Sequence, residues 1–63
     1  MKRSELLKHL RKHGCSLIRE GGRHSWWGNV ELNTRSAVPR HSEVQDILAN
    51  KICRDLRIPK IKK

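Results

Sequence analysis

The residues with the clearest chemical potential follow two glycines in the segment Gly21-Gly22-Arg23-His24-Ser25. Histidine exchanges protons near neutral pH, so His24 is a candidate general acid or base. Arg23 offers a planar fork that binds phosphate, and Gly22 has no side chain to keep a phosphate backbone away. This combination favours acid–base chemistry on a phosphate-bearing substrate. The alternative interpretation is an ordinary surface histidine on a strand.

Charge extends this interpretation to the whole chain. The 63 residues include 15 Lys or Arg and 6 Asp or Glu, which gives a net charge of +9. Such an excess favours polyanionic partners, either nucleic acid or an acidic protein. The further candidates for binding the phosphates of such a partner are Arg19, Arg35, Arg40 and His41.

The other histidines and the cysteines form no metal-binding pattern. His9 and His13 are four residues apart, as in a metal-binding pair, but no Cys or carboxylate lies beside them as a third ligand. Cys15 and Cys53 match no zinc spacing, and we expect free, reduced thiols. We therefore predict no metal and no other cofactor.

Length and hydropathy exclude other classes of protein. A chain of 63 residues has room for one domain with a thin core. Its apolar runs are too short for a membrane-spanning helix, and the charges after the first residues leave no signal-peptide core. We expect a cytoplasmic protein with no membrane partner.

Two amphipathic helices must flank the candidate site. Ser4 is a good N-cap, the leucines that follow share one face, and Gly14 suits a helix end, which predicts a helix over residues 5–13. A second helix has two possible starts, a capping box at Ser42 or an N-cap at Asp46. We prefer residues 46–57, because a start at Ser42 would put Gln45 on the apolar face.

Three strands are predicted between the helices. Residues 15–20 read as a strand with Cys15 and Leu17 on one face. Gly21-Gly22 would form a two-residue hairpin turn with positive φ angles, residues 23–28 the second strand, and residues 35–38 a third strand that Pro39 ends. The expected fold is α+β with two layers in the order αβββα, where the helices cover one sheet face. Trp26 and Trp27 are adjacent and must point to opposite faces, one of them exposed.

A family resemblance runs along residues 1–59. The ordered motifs Lys2-Arg3-Ser4-Glu5-Leu6, Gly21-Gly22-Arg23-His24-Ser25, Val38-Pro39-Arg40-His41 and Lys51-Ile52-Cys53-Arg54-Asp55-Leu56 resemble the HicA toxins of prokaryotic toxin–antitoxin modules. The resemblance implies an αβββα fold similar to a double-stranded-RNA-binding domain. We take residues 1–59 as the single domain and residues 60–63 as a basic C-terminal tail.

The resemblance also implies an activity and a partner. The activity is inactivation of mRNA by an endoribonuclease, with His24 as the catalytic residue, and the partner is an antitoxin of the HicB type. Our hypothesis is metal-independent cleavage by transfer to the neighbouring 2′-hydroxyl.

Two departures from the family pattern are visible. Arg57 stands where members often have glycine, so we expect a less regular helix end, and the loop at Asn29-Val30-Glu31 lacks a proline.

The main alternative is a non-catalytic RNA-binding module of the same fold. Positive charge, a solvent-facing sheet and an aromatic side chain would serve RNA binding equally well. A membrane-surface peptide is disfavoured because the apolar stripe of the first helix has no aromatic residue. A helix-turn-helix DNA reader is disfavoured because residues 15–38 resemble strands.

Overall fold

The computed structural model describes residues 1–61. The elements in chain order are α1 (Arg3–Lys12), β1 (Cys15–Glu20), β2 (His24–Asn29), β3 (Thr34–Pro39) and α2 (Asp46–Asp55). This is the predicted αβββα order, an α+β arrangement consistent with the fold of a double-stranded-RNA-binding domain. Of the predicted basic tail, Lys62 and Lys63 lie outside the described residues, and Ile61 packs against the core.

The sheet is antiparallel in the order β1-β2-β3, and both helices pack on the same side of it. The core between the two layers is apolar, and its largest fully buried side chains include Leu6, Leu10, Val38, Ile52 and Leu56. Each helix contributes one apolar stripe and leaves its charged stripe in water, as expected for a two-layer fold.

Helix α1 begins at Arg3, two residues earlier than predicted. The N-cap position is occupied by Lys2, and no side chain caps the helix, so the prediction of Ser4 as the cap is wrong. Tertiary pairing takes the place of a side-chain cap. Lys2 forms a β-bridge with Glu43, and the Arg3 N–H donates to the Ser42 carbonyl at 2.8 Å. One of the free N–H groups of the first turn is thereby satisfied by distant backbone.

Strand β1 alternates as predicted from Cys15 to Ile18 and is irregular only beyond that point. Its register with β2 shifts between Leu17 and Arg19, which is a β-bulge. Cys15 and Leu17 share one face, because they pair with Asn29 and Trp27 of β2, but Cys15 is buried and Leu17 is 48% exposed. The bulge turns both Ile18 and Arg19 toward the side of the sheet away from the helices, where they line one cleft.

The β1–β2 connection has three residues instead of two. Strand β2 begins at His24, and the Gly21 N–H closes the loop by donating to the His24 carbonyl at 2.8 Å. Neither Gly21 nor Gly22 has a positive φ, so that prediction is wrong, whereas Gly14 has φ +84° at the end of α1. The constraint at Gly21 is space, because a Cβ there would lie 3.0 Å from the His24 carbonyl oxygen.

Helix α2 begins at Asp46 with Gln45 as its N-cap residue, which confirms the later of the two predicted starts. It ends at Asp55, two residues earlier than expected. The Ile58 N–H donates to the Cys53 carbonyl and the Arg57 N–H to the Arg54 carbonyl, both at 3.0 Å. This pair of bonds is a Schellman motif. The helix end is therefore regular, contrary to the expectation based on Arg57.

Candidate functional site

The sheet has one uncovered side, which we call the open face. Buried Ser25 and Trp27 in β2, and buried Ser36 and Val38 in β3, point toward the helices. Because side chains alternate along a strand, their neighbours point outward. The open face is formed by Ser16, Ile18, Arg19, His24, Trp26, Gly28, Arg35, Ala37 and Pro39.

The two tryptophans point to opposite faces, as predicted. Trp27 is 3% exposed and belongs to the core, with the Arg11 guanidinium 5.2 Å from its ring centroid. Trp26 is half-buried and lies on the open face. The structure thus identifies Trp26 as the tryptophan that solvent can reach.

His24 is exposed at the first position of β2. Its backbone pairs with Pro39 of β3, and its carbonyl accepts the hydrogen bond from Gly21. Among residues 1–61 no side-chain hydrogen bond engages the imidazole ring. The ring is therefore accessible to a ligand, while the backbone beneath it is held on both sides.

Arg3 stabilises this part of the sheet from the opposite layer. Its Nε donates to the Pro39 carbonyl at 2.8 Å, and its Nη2 donates to the Ser25 hydroxyl at 3.0 Å. Pro39 is the strand partner of His24, and Ser25 is its neighbour along the chain. One guanidinium thus joins β2 to β3 behind the histidine. Sequence analysis missed this residue, because its role depends on contacts with residues 22 and 36 positions away.

The arginines predicted to bind phosphate fall into two groups. Arg19 and Arg35 lie on β1 and β3 and line the same cleft on the open face. Arg40 instead supports the glycine loop, since its Nη2 donates to the Gly21 carbonyl at 2.6 Å and lies 3.2 Å from Glu20 Oε2. Arg23 is exposed in the loop itself. The structure therefore places Arg19 and Arg35 on the open face and Arg23 in the loop that leads to His24, with Arg40 in contact with that loop.

Gly22 and His41 are exposed beside these elements. A Cβ at Gly22 would meet no atom within 4 Å, so the loop is open to solvent there. His41 lies in the bend after β3, two residues beyond the strand partner of His24. Within the described part of the chain, no side-chain hydrogen bond joins it to His24.

Among residues 1–61 no group of three or more His, Cys, Asp or Glu side chains is placed to hold a metal ion. The His9 and His13 rings lie 4.5 Å apart between centroids, and His9 Nε2 lies 2.6 Å from the Pro59 carbonyl. The His9 ring therefore ties α1 to the segment after α2.

The two cysteines are free and buried. Burial raises the pKa of the Cys53 thiol, and it raises the pKa of the Cys15 thiol together with the nearby Cys53. A raised pKa keeps a thiol protonated, which disfavours nucleophilic chemistry. These residues contribute to the core and lie outside the candidate site.

None of the helices in residues 1–61 is long and apolar enough to cross a bilayer.

Comparisons with known proteins agree with the motif analysis. No curated protein and no solved structure matches the chain. A family match covers residues 3–58, which includes every helix and strand of the fold, and the family is described as the HicA toxin of bacterial toxin–antitoxin modules. The chain belongs to this HicA toxin family.

Proposed function

We propose that this toxin is an endoribonuclease that cleaves mRNA, with His24 as its general acid–base residue. The observation that carries the proposal is the position of His24, an exposed imidazole on a firmly held strand end. Arg19 and Arg35 lie on the same face, Arg23 lies in the adjoining loop, and Arg40 contacts that loop from the segment after β3. A cationic surface around a proton-exchanging group is what cleavage of a phosphodiester requires.

The proposed reaction needs no water in its first step. Neutral His24 takes the proton of the ribose 2′-hydroxyl, and the 2′-oxygen attacks the adjacent phosphorus. The bond to the 5′-oxygen of the next nucleotide breaks, and that oxygen takes up a proton. The products are a 2′,3′-cyclic phosphate and a free 5′-hydroxyl. Arginine side chains stabilise the additional negative charge on the phosphorane.

A second acid would speed the departure of the 5′-oxygen. His41 is the candidate because it lies close in the chain to Pro39, the strand partner of His24. Without an acid at the 5′-oxygen, His24 must return its own proton or solvent must supply one. We therefore expect slow turnover. Slow turnover is compatible with toxicity, since cleavage of a fraction of transcripts is sufficient.

Expression in a bacterial host tests the activity. We expect the wild-type chain to arrest growth and His24→Ala to permit it at equal protein level. His13→Ala is the matched control, because His13 lies at the end of α1, outside the open face, and this variant should remain toxic. Continued toxicity of His24→Ala would contradict the proposal.

The second candidate function is RNA binding without cleavage. The half-buried Trp26 beside two arginines favours it, because aromatic and cationic groups on a sheet also serve simple binding. The two functions differ in one observable. A binding module leaves RNA intact after long incubation with the purified protein.

Membership of a toxin–antitoxin family implies an antitoxin partner. We propose a HicB-type protein with an acidic surface that covers the open face in the cytoplasm, since opposite charges complement the +9 chain. Trp26 is the expected anchor at this interface.

Trp26→Ala should weaken antitoxin binding at least tenfold in a titration (about 1.4 kcal/mol). Leu32→Ala, a truncation of an exposed loop residue, should leave the affinity for the antitoxin unchanged. Equal affinities of the two variants would show that Trp26 does not anchor the interface.

A further inference from the structure

Trp26 is a large aromatic side chain on the open face that the proposed cleavage chemistry does not use. It lies two residues from His24 on the same strand, so the two Cα atoms are about 7 Å apart. Both side chains project from the same side of β2. Trp27 is buried in the core on the helix side. Trp26 is half-buried on the open face, where a ligand can contact its indole ring.

The cleft around Trp26 combines an apolar wall with two cations. Its volume is about 380 Å³, and it is lined by Ile18, Arg19, Trp26 and Arg35. A second cleft of about 530 Å³ shares Ile18 and Arg35 and continues over Gly28. Both volumes fall within the range of small-ligand sites. A planar apolar group fits against the indole, and the guanidinium groups suit the phosphates on either side of it.

Two glycines shape this cleft. A Cβ at Gly28 would collide with the Ile18 side chain and would lie 2.8 Å from the Thr34 carbonyl oxygen. Glycine at this position therefore lets Ile18 lie across β2 as one wall. A Cβ at Gly21 would lie 3.7 Å from Trp26 Nε1, so the indole edge lies against the loop that precedes His24. The cleft and the histidine thus form a continuous surface.

We propose that Trp26 is a stacking platform for one unpaired base of single-stranded RNA, with Arg19 and Arg35 binding the phosphates beside it. This inference rests on the proposed endoribonuclease function and adds a positioning residue and a substrate class to it. A base held on Trp26 brings a neighbouring phosphodiester to His24. Bases inside a duplex are already stacked on each other and present no free face to a tryptophan. The site therefore selects single strands, although the fold is similar to that of double-stranded-RNA-binding domains.

Binding is measured in the His24→Ala background, so that the RNA stays intact. The probes are a short fluorescein-labelled single-stranded RNA and the same sequence in a duplex. We expect Trp26→Ala to weaken single-strand binding about 5- to 150-fold, which is the usual effect of losing one stacked base. Trp26→Phe should retain most of the affinity, because a phenyl ring still stacks. Duplex RNA should bind more weakly than the single strand and with the same affinity to all variants.

Tryptophan fluorescence supplies a second readout that a folding defect would not imitate. Because Trp27 is buried on the helix side, quenching by bound RNA reports on Trp26. We expect quenching in the His24→Ala protein and its loss in the His24→Ala, Trp26→Phe protein, which still binds. Leu32→Ala, a truncation of an exposed apolar residue in the β2–β3 loop, is the matched control and should behave as the parent.

The inference is overturned if Trp26→Ala binds single-stranded RNA as tightly as the parent does. It is also overturned if the duplex binds more tightly than the single strand, or if Trp26→Ala affects only antitoxin binding. Cleavage separates this inference from the proposed function. Failure of the wild-type chain to cut RNA would contradict the proposed endoribonuclease function. Normal cleavage with an unchanged KM in Trp26→Ala would contradict only the proposed role of Trp26.

Discussion

At the scale of single residues, the accessible His24 ring depends on support from a side chain in the helix layer. Arg3 donates to Pro39 and to Ser25, which lie across from and beside the histidine. Ser25 is 1% exposed, so its hydroxyl has no access to water as a substitute partner. Buried polar groups that lose their partner carry the full cost of desolvation.

Arg3→Gln should therefore destabilise the fold by about 1–3 kcal/mol, because the amide is too short to hold both acceptors. The midpoint of urea unfolding measures this effect. Lys8→Gln makes the same change of charge on an exposed position of α1 and should lie within about 0.5 kcal/mol of the wild type. Equal midpoints for the two variants would show that Arg3 does not brace the strands.

At the scale of elements, the end of α2 contains a residue in an unfavourable conformation. Arg57 has φ +58°, in the left-handed region that favours glycine. It is the C′ residue of the Schellman motif, and the preceding Leu56 carbonyl accepts a hydrogen bond from Thr34 Oγ1 at 3.0 Å. The helix end is thus fixed by the backbone and by β3, although its sequence carries a Cβ where glycine is preferred.

Arg57→Gly should raise the free energy of unfolding by about 1 kcal/mol, since it removes the steric cost of the left-handed conformation. Thermal unfolding at constant salt measures it. Arg57→Ala is the matched control: it deletes the same side chain and keeps the Cβ, so it should give no such gain. A gain of equal size in both variants would assign the effect to charge and not to backbone conformation.

The order and approximate length of the elements could be predicted because local patterns determine them. Leu6, Leu7 and Leu10 recur at helical spacing, and Gly14 ends the helix with a positive φ. The errors arose where distant backbone decides the outcome. The start of α1 depends on pairing with residues 42–44, and the bulge after Leu17 depends on register with β2.

The candidate site was predictable in part for the same reason. The segment that carries His24 is continuous in sequence, so its residue types could be recognised directly. Strand alternation separated Trp26 from Trp27, but which of them is exposed depends on which sheet face the helices cover. The role of Arg3 and the cleft between Arg19 and Arg35 arise only when three strands and a helix come together.

At the scale of the whole molecule, the helix side of the sheet forms the core and the open face carries the candidate functional residues. The helix side buries the apolar residues, including both cysteines and Trp27. The open face carries His24, Trp26 and two of the arginines, with no core residue among them. A toxin built in this way exposes its candidate chemistry on one surface, which a single partner can cover.

The central claim is that His24 on the open face cleaves RNA without a metal ion. The most direct test incubates purified protein with single-stranded RNA in EDTA and identifies the new ends. We predict 2′,3′-cyclic phosphate, or the 3′-phosphate formed from it, with the wild-type chain and intact RNA with His24→Ala. Cleavage that requires Mg²⁺, or that continues in His24→Ala, would contradict the account.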